Sequence, residues 1–334
     1  MGPGPMGFMR ALGMADSPTL ADVQAAAEAI AGRVHRTPVL TSATLAARCG
    51  APVWLKAELF QRIGAFKPRG AFNRLRALTP EERELGTITI SAGNHAQALA
   101  LAARDEGVDA LVLMPADASP LKVAATRGYG ATVDLESADS MEALERMRAI
   151  ASETGRVIVH PYDDPLIVAG QGTVGLEIVE DIPEVDTVIV PIGGGGLIAG
   201  IATAVKGLRP DARIIGVEPE LSAAMRSALD AGHPVSAVPG PTIADALRSP
   251  VAGAIGLEVC ARLVADVVLV SDDEIREGMR FLYERAKLAC EPGAAVGVAA
   301  LLAGRLDVAE SKAVAFVISG GNVSPQLAAE ILAG

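Results

Sequence analysis

The sequence predicts an open, mostly parallel α/β fold with more than one lobe, and three features carry that prediction. Short β-branched runs alternate with Ala- and Leu-rich stretches that carry charges at helical spacing, the pattern of repeated strand–helix units. Several of the runs are apolar throughout instead of alternating, as strands covered on both faces are. At 334 residues the chain exceeds what one hydrophobic core usually serves, so two lobes are the natural division.

The elements follow in order. Residues Met1 to Arg10 are Gly- and Pro-rich and lack the apolar segment of a signal peptide, so they read as a disordered leader. Ser17-Pro18 offers a cap and first turn to a helix whose one face carries Leu20, Val23, Ala27 and Ile30. Strands are expected over Val53–Ala57, Thr87–Ser91, Ala110–Met114, Ala131–Asp134, Val157–His160, Thr187–Ile192, Arg213–Val217, Val267–Val270 and Val314–Ser319. Between them, Met141, Leu144, Met147 and Ile150 line one face of a helix from Ser140 to Ser152. The apolar stretch Ala294 to Ala303 is about half the length of a membrane span and reads as a buried helix. Neither an internal repeat nor a low-complexity linker is present.

Composition narrows the partners. Aromatics make up 3% of the chain, so the core must be built from Ala, Val, Leu and Ile. The net charge of −11 disfavours nucleic acid at long range, yet leaves room for a local pocket that binds a small anion. Cys49, Cys260 and Cys290 are odd in number and scattered, which implies neither a disulfide framework nor a zinc cluster and fits a reducing cytoplasm.

Four turns carry the chemistry. Lys67 precedes Pro68, which suits a first helical turn. The positive end of that helix and partial burial would both lower the lysine's pKa, as a Schiff-base amine requires. Alone, Lys67 reads better as a solvated surface lysine at a turn, since lysines near helix starts are common. Gly193–Gly196 form a glycine turn between a strand and a helix start, where backbone N–H groups converge on a phosphate; they match neither G-x-G-x-x-G nor a P-loop ending. In Ser91-Ala92-Gly93-Asn94-His95 the same strand–turn–helix layout could bind a carboxylate, Asn94 could donate to a phenolate oxygen, and His95 reads as a structural histidine at a helix start. Ser319 ends the last strand ahead of Gly320, Gly321 and Asn322. All four follow strands, where open α/β sheets bind their ligands.

In order and spacing these segments resemble the fold-type II pyridoxal-phosphate enzymes, the tryptophan synthase β-like class. The threonine and serine dehydratases (threonine ammonia-lyases) and the serine racemases are nearest. The resemblance runs from Arg36-Thr37-Pro38 to Asn322 and includes Asp164 to Thr173, Gly216-Val217-Glu218-Pro219, Thr242 to Asp245 and Glu291-Pro292-Gly293-Ala294. It implies pyridoxal 5′-phosphate held by Lys67 as a Schiff base with Phe66 beside it. It also implies phosphate binding by Gly193, Gly194, Gly195 and Gly196, a ring-oxygen contact from Asn94 and a ring-nitrogen contact from Ser319. Ser91, Ala92, Gly93, Asn94 and His95 would frame the substrate carboxylate. The implied lobes are a large cofactor-binding one, residues 1–80 and 165–334, and a small mobile one, residues 81–164, in a cytoplasmic homodimer. Glu218 and Ser222 match two positions of the racemases' divalent-cation site, but Ala224 stands where those enzymes have Asp, so cation binding is expected to be weak or absent. Ala65 replaces a frequent Ser.

The implied reaction is β-elimination from a 3-hydroxy L-amino acid, threonine or serine by default, giving a 2-oxo acid and ammonia. Ala92 separates the chain from racemases, which carry a second Ser there; Ser-Ala-Gly-Asn-His is common in dehydratases. The alternatives are a serine racemase, a dehydratase of another 3-hydroxy amino acid, a synthase of the same fold, and a ligand-sensing α/β protein without chemistry. Because 12 residues follow Asn322, the C-terminal regulatory domain of biosynthetic threonine dehydratases is not expected, nor is their end-product inhibition.

Overall fold

The computed structural model describes residues 17–236 and 238–334; the leader expected over Met1–Arg10 lies outside them. The first half of the chain runs α1 (Leu20–Ala29), β1 (Val39–Thr41), α2 (Ala43–Cys49), β2 (Val53–Ala57), α3 (Pro68–Arg76), α4 (Pro80–Leu85), β3 (Thr87–Ile90), α5 (Asn94–Glu106), β4 (Ala110–Pro115), α6 (Pro120–Gly128), β5 (Thr132–Ser137), α7 (Ser140–Thr154) and β6 (Val157–Ile158). The second half runs α8 (Pro165–Asp181), β7 (Thr187–Pro191), α9 (Gly196–Leu208), β8 (Arg213–Pro219), α10 (Ala224–Ala231), α11 (Ala254–Leu263), β9 (Asp266–Val270), α12 (Asp272–Phe281), α13 (Pro292–Leu302), β10 (Val314–Ile318) and α14 (Pro325–Ala333).

Two sheets result. One has six strands in the order β1-β2-β10-β7-β8-β9; the other has four in the order β5-β4-β3-β6. Every pairing is parallel except β1 with β2. The apolar runs are explained by coverage on both faces. Along β10, Val314, Phe316 and Ile318 join one core, while Ala315 and Val317 join another on the opposite side. The stretch expected to be a buried helix is α13, whose residues from Pro292 to Leu301 are all buried. Helices α8 and α9 approach through glycines: a Cβ at Gly172 would lie 2.8 Å from the Gly200 carbonyl oxygen.

The strand order matters more than the strand count. Because β10 pairs with both β2 and β7 in parallel, the turns that follow these three strands emerge side by side, and they carry Lys67, Ser319 and Gly193–Gly196.

Three local readings differ from the structure. The first helix is capped by Thr19, in a reciprocal pair with Asp22, because only Thr19 sits three residues before a carboxylate that can reach back; Ser17 instead donates to Glu258 at 2.6 Å. Strand β1 went unread because three residues show no periodicity. The strand expected over Val157–His160 ends at Ile158, since His160 to Asp164 turn away to contact the glycine turn.

Candidate functional site

The lysine turn is stitched to the end of β10. The Phe66 N–H donates to the Ser319 carbonyl at 3.1 Å, the Gly321 N–H donates to Gly64 at 2.9 Å, and Ala65 pairs with Gly320. Lys67 is the residue before α3, with Pro68 in the first turn. Its Nζ donates to the Pro161 carbonyl at 2.7 Å and lies 5.2 Å from the centroid of the Phe66 ring. Burial pulls its pKa down to about 8, against the opposing pull of the Glu291 carboxylate. Burial, more than the helix end, therefore makes this lysine a usable amine at moderate pH.

Two residues on, Arg69 anchors α3. Its guanidinium, 1% exposed, is bidentate to Glu58 at 2.8 Å on both oxygens and reaches Glu177 at 2.7 and 2.9 Å and Thr173 at 3.1 Å. Lys56, also buried, donates to the Thr37 carbonyl and pairs with Glu177 at 2.6 Å. Buried charges persist only when paired in this way, and the cluster locks the start of α3 to α8.

The glycine turn is a cradle without room for side chains. Gly195 is left-handed at φ 99. A Cβ on Gly194 would lie within 2.5 Å of three carbons of the Tyr162 ring, and one on Gly196 would lie 2.8 Å from the Tyr162 carbonyl oxygen. The first helical bond of α9 is Ala199 N–H to Gly195, which leaves the N–H groups of Gly196, Leu197 and Ile198 without intrahelical partners, at the positive end of the helix. Tyr162 is held from several sides. Its hydroxyl donates to Val251 at 3.1 Å, and its ring meets His160 edge-on at 4.6 Å. Nδ1 of His160 accepts from the N–H groups of Tyr162 and Asp163. The Asp163 carboxylate accepts two N–H bonds at the start of α11, both at 3.0 Å. Neither Tyr162 nor Pro161 was singled out from the sequence, because the turn between β6 and α8 has no periodic signal.

Ser91 to His95 lead from β3 into α5. The first helical bond is Gln97 N–H to Gly93, so Asn94, His95 and Ala96 present free N–H groups, and Ser91 Oγ accepts from the Gly93 N–H at 3.2 Å. The His95 side chain points away from the turn: Nε2 lies 3.1 Å from the Val159 carbonyl oxygen, and burial pulls its pKa down to about 3, keeping the ring neutral. The side chain is thus engaged within the protein, and its backbone N–H remains without an intrahelical partner. Asn94 donates to both oxygens of Glu291, at 3.0 and 3.2 Å. Glu291 is buried, and burial pushes its pKa up to about 7. In the sequence Glu291 counts only as part of the segment Glu291 to Ala294 that carries the family resemblance. Nearby, Lys122 of α6 pairs with Asp245 at 2.6 Å, joining segments that belong to the two sheets.

The cation positions are otherwise engaged. Both oxygens of the fully buried Glu218 accept N–H groups at the start of α10, from Met225 at 2.9 Å and Arg226 at 2.8 Å. Ser222 donates to Leu247 at 3.3 Å. Among the described residues no three His, Cys, Asp or Glu side chains gather as a metal site would need.

The residues present fit pyridoxal phosphate. A turn packed too closely for any Cβ adjoins free N–H groups for a phosphate, and a lysine of lowered pKa stands nearby. A family model described as pyridoxal-phosphate dependent enzyme matches residues 30–320. The chain is similar to the catabolic L-threonine dehydratase TdcB of Escherichia coli, 43% identical over 90% of this chain and 92% of that one. It is similar to L-threo-3-hydroxyaspartate ammonia-lyase of Saccharomyces cerevisiae, 41% identical over 95% of this chain and 97% of that one. The solved structure of maize serine racemase superposes with a TM-score of 0.90 at 38% identity, covering 93% of this chain and 96% of that one.

Proposed function

The chain belongs to the pyridoxal-phosphate-dependent enzyme family, and from this premise we propose that it is an ammonia-lyase. It eliminates water from a 3-hydroxy L-amino acid, with threonine first and serine next, and the released enamine takes up water and sheds ammonia to give a 2-oxo acid. The observation that carries the reading is Lys67, an amine of lowered pKa between the glycine cradle, the end of β10 and the Ser91–His95 turn. The names of the relatives support the substrate class.

When bound, the cofactor supplies an electrophilic carbon and an electron sink for charge developing at the substrate Cα. The protein does the rest. Lys67 would hold the cofactor covalently with Phe66 beside it and, as a free amine, would accept the Cα proton at Nζ. The N–H groups after Gly195 hold the phosphate. Asn94 would donate to the ring oxygen. Ser319 would face the ring nitrogen, where a hydroxyl would protonate more weakly than a carboxylate, favouring loss of the β-substituent over transamination. The N–H groups of Asn94 and His95, with Ser91, hold the substrate carboxylate, and the methyl of Ala92 lacks the exchangeable proton that a racemase needs on the second face.

We further infer a large lobe of residues 1–80 and 165–334 and a small mobile lobe of residues 81–164, supported by the second sheet, which runs from Thr87 to Ile158. We also infer a cytoplasmic homodimer, the arrangement the resemblance implies; the three cysteines are free and buried, which fits a reducing compartment. No helix among the described residues is long and apolar enough to cross a membrane. The deciding experiment is steady-state release of 2-oxo acid from threonine, serine and 3-hydroxyaspartate. Turnover of 3-hydroxyaspartate alone would transfer the assignment to the activity named for the yeast relative, and no turnover of any would overturn it.

A further inference from the structure

Asn322 lies beyond β10, and its NH2 group donates twice, to the Ile63 carbonyl and to Asn94 Oδ1, each at 2.8 Å. A carbonyl can only accept. The Ile63 carbonyl therefore decides which end of the Asn322 amide enters the lysine turn. That same NH2 then claims the oxygen of Asn94, so the NH2 end of Asn94 must face Glu291, where its contacts lie at 3.0 and 3.2 Å. One N–H suffices for a single carboxylate, so the second is left for a ligand.

The turn that receives Asn322 is unusual. Ile63 is left-handed at φ 63 and ψ 1, a conformation that β-branched residues rarely adopt. Gly64 follows at φ 76, and a Cβ there would lie 2.9 Å from Asn322 Oδ1. The backbone can hold Asn322 this closely only because position 64 is glycine. Three residues later the chain reaches Lys67.

We propose that Asn322 is a positioning residue: it sets the amide of Asn94 with its NH2 end toward the site and couples that orientation to the left-handed turn leading to Lys67. The inference rests on the reading of Asn94 as donor to the cofactor's ring oxygen. A phenolate oxygen accepts only, so a flipped Asn94 would oppose acceptor to acceptor, which is worse than having no side chain there. Asn322→Asp is nearly isosteric, yet its carboxylate cannot donate to either oxygen and draws the NH2 of Asn94 toward itself.

The test compares Asn322→Asp, Asn322→Ala, Asn94→Ala and the double variant Asn94→Ala/Asn322→Asp. The measurements are cofactor affinity by equilibrium dialysis and the pH midpoint of the visible absorbance of the cofactor-loaded enzyme, with thermal melts to confirm folding. Asn322→Asp should weaken cofactor binding by about tenfold or more and move the midpoint in the direction that Asn94→Ala moves it. Asn322→Ala should move it less, and the double variant should match Asn94→Ala. If Asn322→Asp does not fold, Asn322→Ser, too short to reach Asn94, takes its place in the same comparison. A midpoint unmoved by the Asn322 substitution, or a shift that adds in full to that of Asn94→Ala, would overturn the proposal. An Asn94→Ala enzyme with unchanged affinity and midpoint would instead overturn the reading of Asn94, and the proposal with it.

Discussion

Substituting Gly194 by alanine tests the cradle most directly. The new methyl would lie within 2.5 Å of three Tyr162 ring carbons, well inside van der Waals contact, so either the ring or the loop must move. The ring is held by its hydroxyl on Val251 and by the edge of His160, and behind it Asp163 is bound to the start of α11. Overpacking of this kind costs about 1–3 kcal/mol. If the loop yields, the N–H groups leave their common focus. At about 1.4 kcal/mol per tenfold, that strain corresponds to cofactor affinity weaker by roughly 5- to 150-fold. The assay is cofactor titration together with urea unfolding of the cofactor-free protein. Gly128→Ala is the control, because a Cβ there meets nothing within 4 Å, so that variant should be neutral or slightly stabilised. In a Tyr162→Ala background the same Gly194→Ala substitution should cost little, a coupling that neighbours in contact show. Unchanged stability and affinity in Gly194→Ala would refute the close packing from which the cradle is argued.

Lys67→Ala should abolish both turnover and the visible absorbance of lysine-bound cofactor while the fold persists; near wild-type turnover would remove Lys67 from its role. The lysine should also register in stability. Its folded pKa of about 8 lies below the ordinary 10.5, so between these values the unfolded chain carries a proton that the folded chain lacks. Stability of the cofactor-free protein therefore rises with pH across this window, by up to roughly 3 kcal/mol relative to Lys67→Met, and parallel unfolding curves for the two proteins from pH 8 to about 10 would contradict it. Arg69→Met leaves Glu58 buried with a single neutral partner, Thr37, and should cost about 3–5 kcal/mol in urea unfolding; a loss under about 1 kcal/mol would mean the cluster rearranges freely. From L-serine the wild type should yield almost only pyruvate, and Ala92→Ser should gain some D-serine, as measured by the ratio of the two products; comparable D-serine from the wild type would favour a racemase.

Much of the molecule was legible in the sequence because its information there is local. Apolar runs and helical spacing mark strands and helices, so nine of the strands were found at their positions within a few residues. Strand–turn–helix motifs likewise mark Lys67, Asn94, Gly193–Gly196 and Ser319 as candidates without any knowledge of the sheet. What tertiary structure alone decided is which of these meet. The placement of β10 between β2 and β7 is a pairing across more than a hundred residues of sequence, and no periodicity encodes it. The same holds for Tyr162 against Gly194, for Glu291 against Asn94 and for the Asn322 bridge to Ile63, each a contact between segments distant in sequence. The depressed pKa of Lys67 belongs with them. The sequence offered a helix end as one cause, but the leading one is burial, and burial exists only once the surrounding turns have packed over the amine.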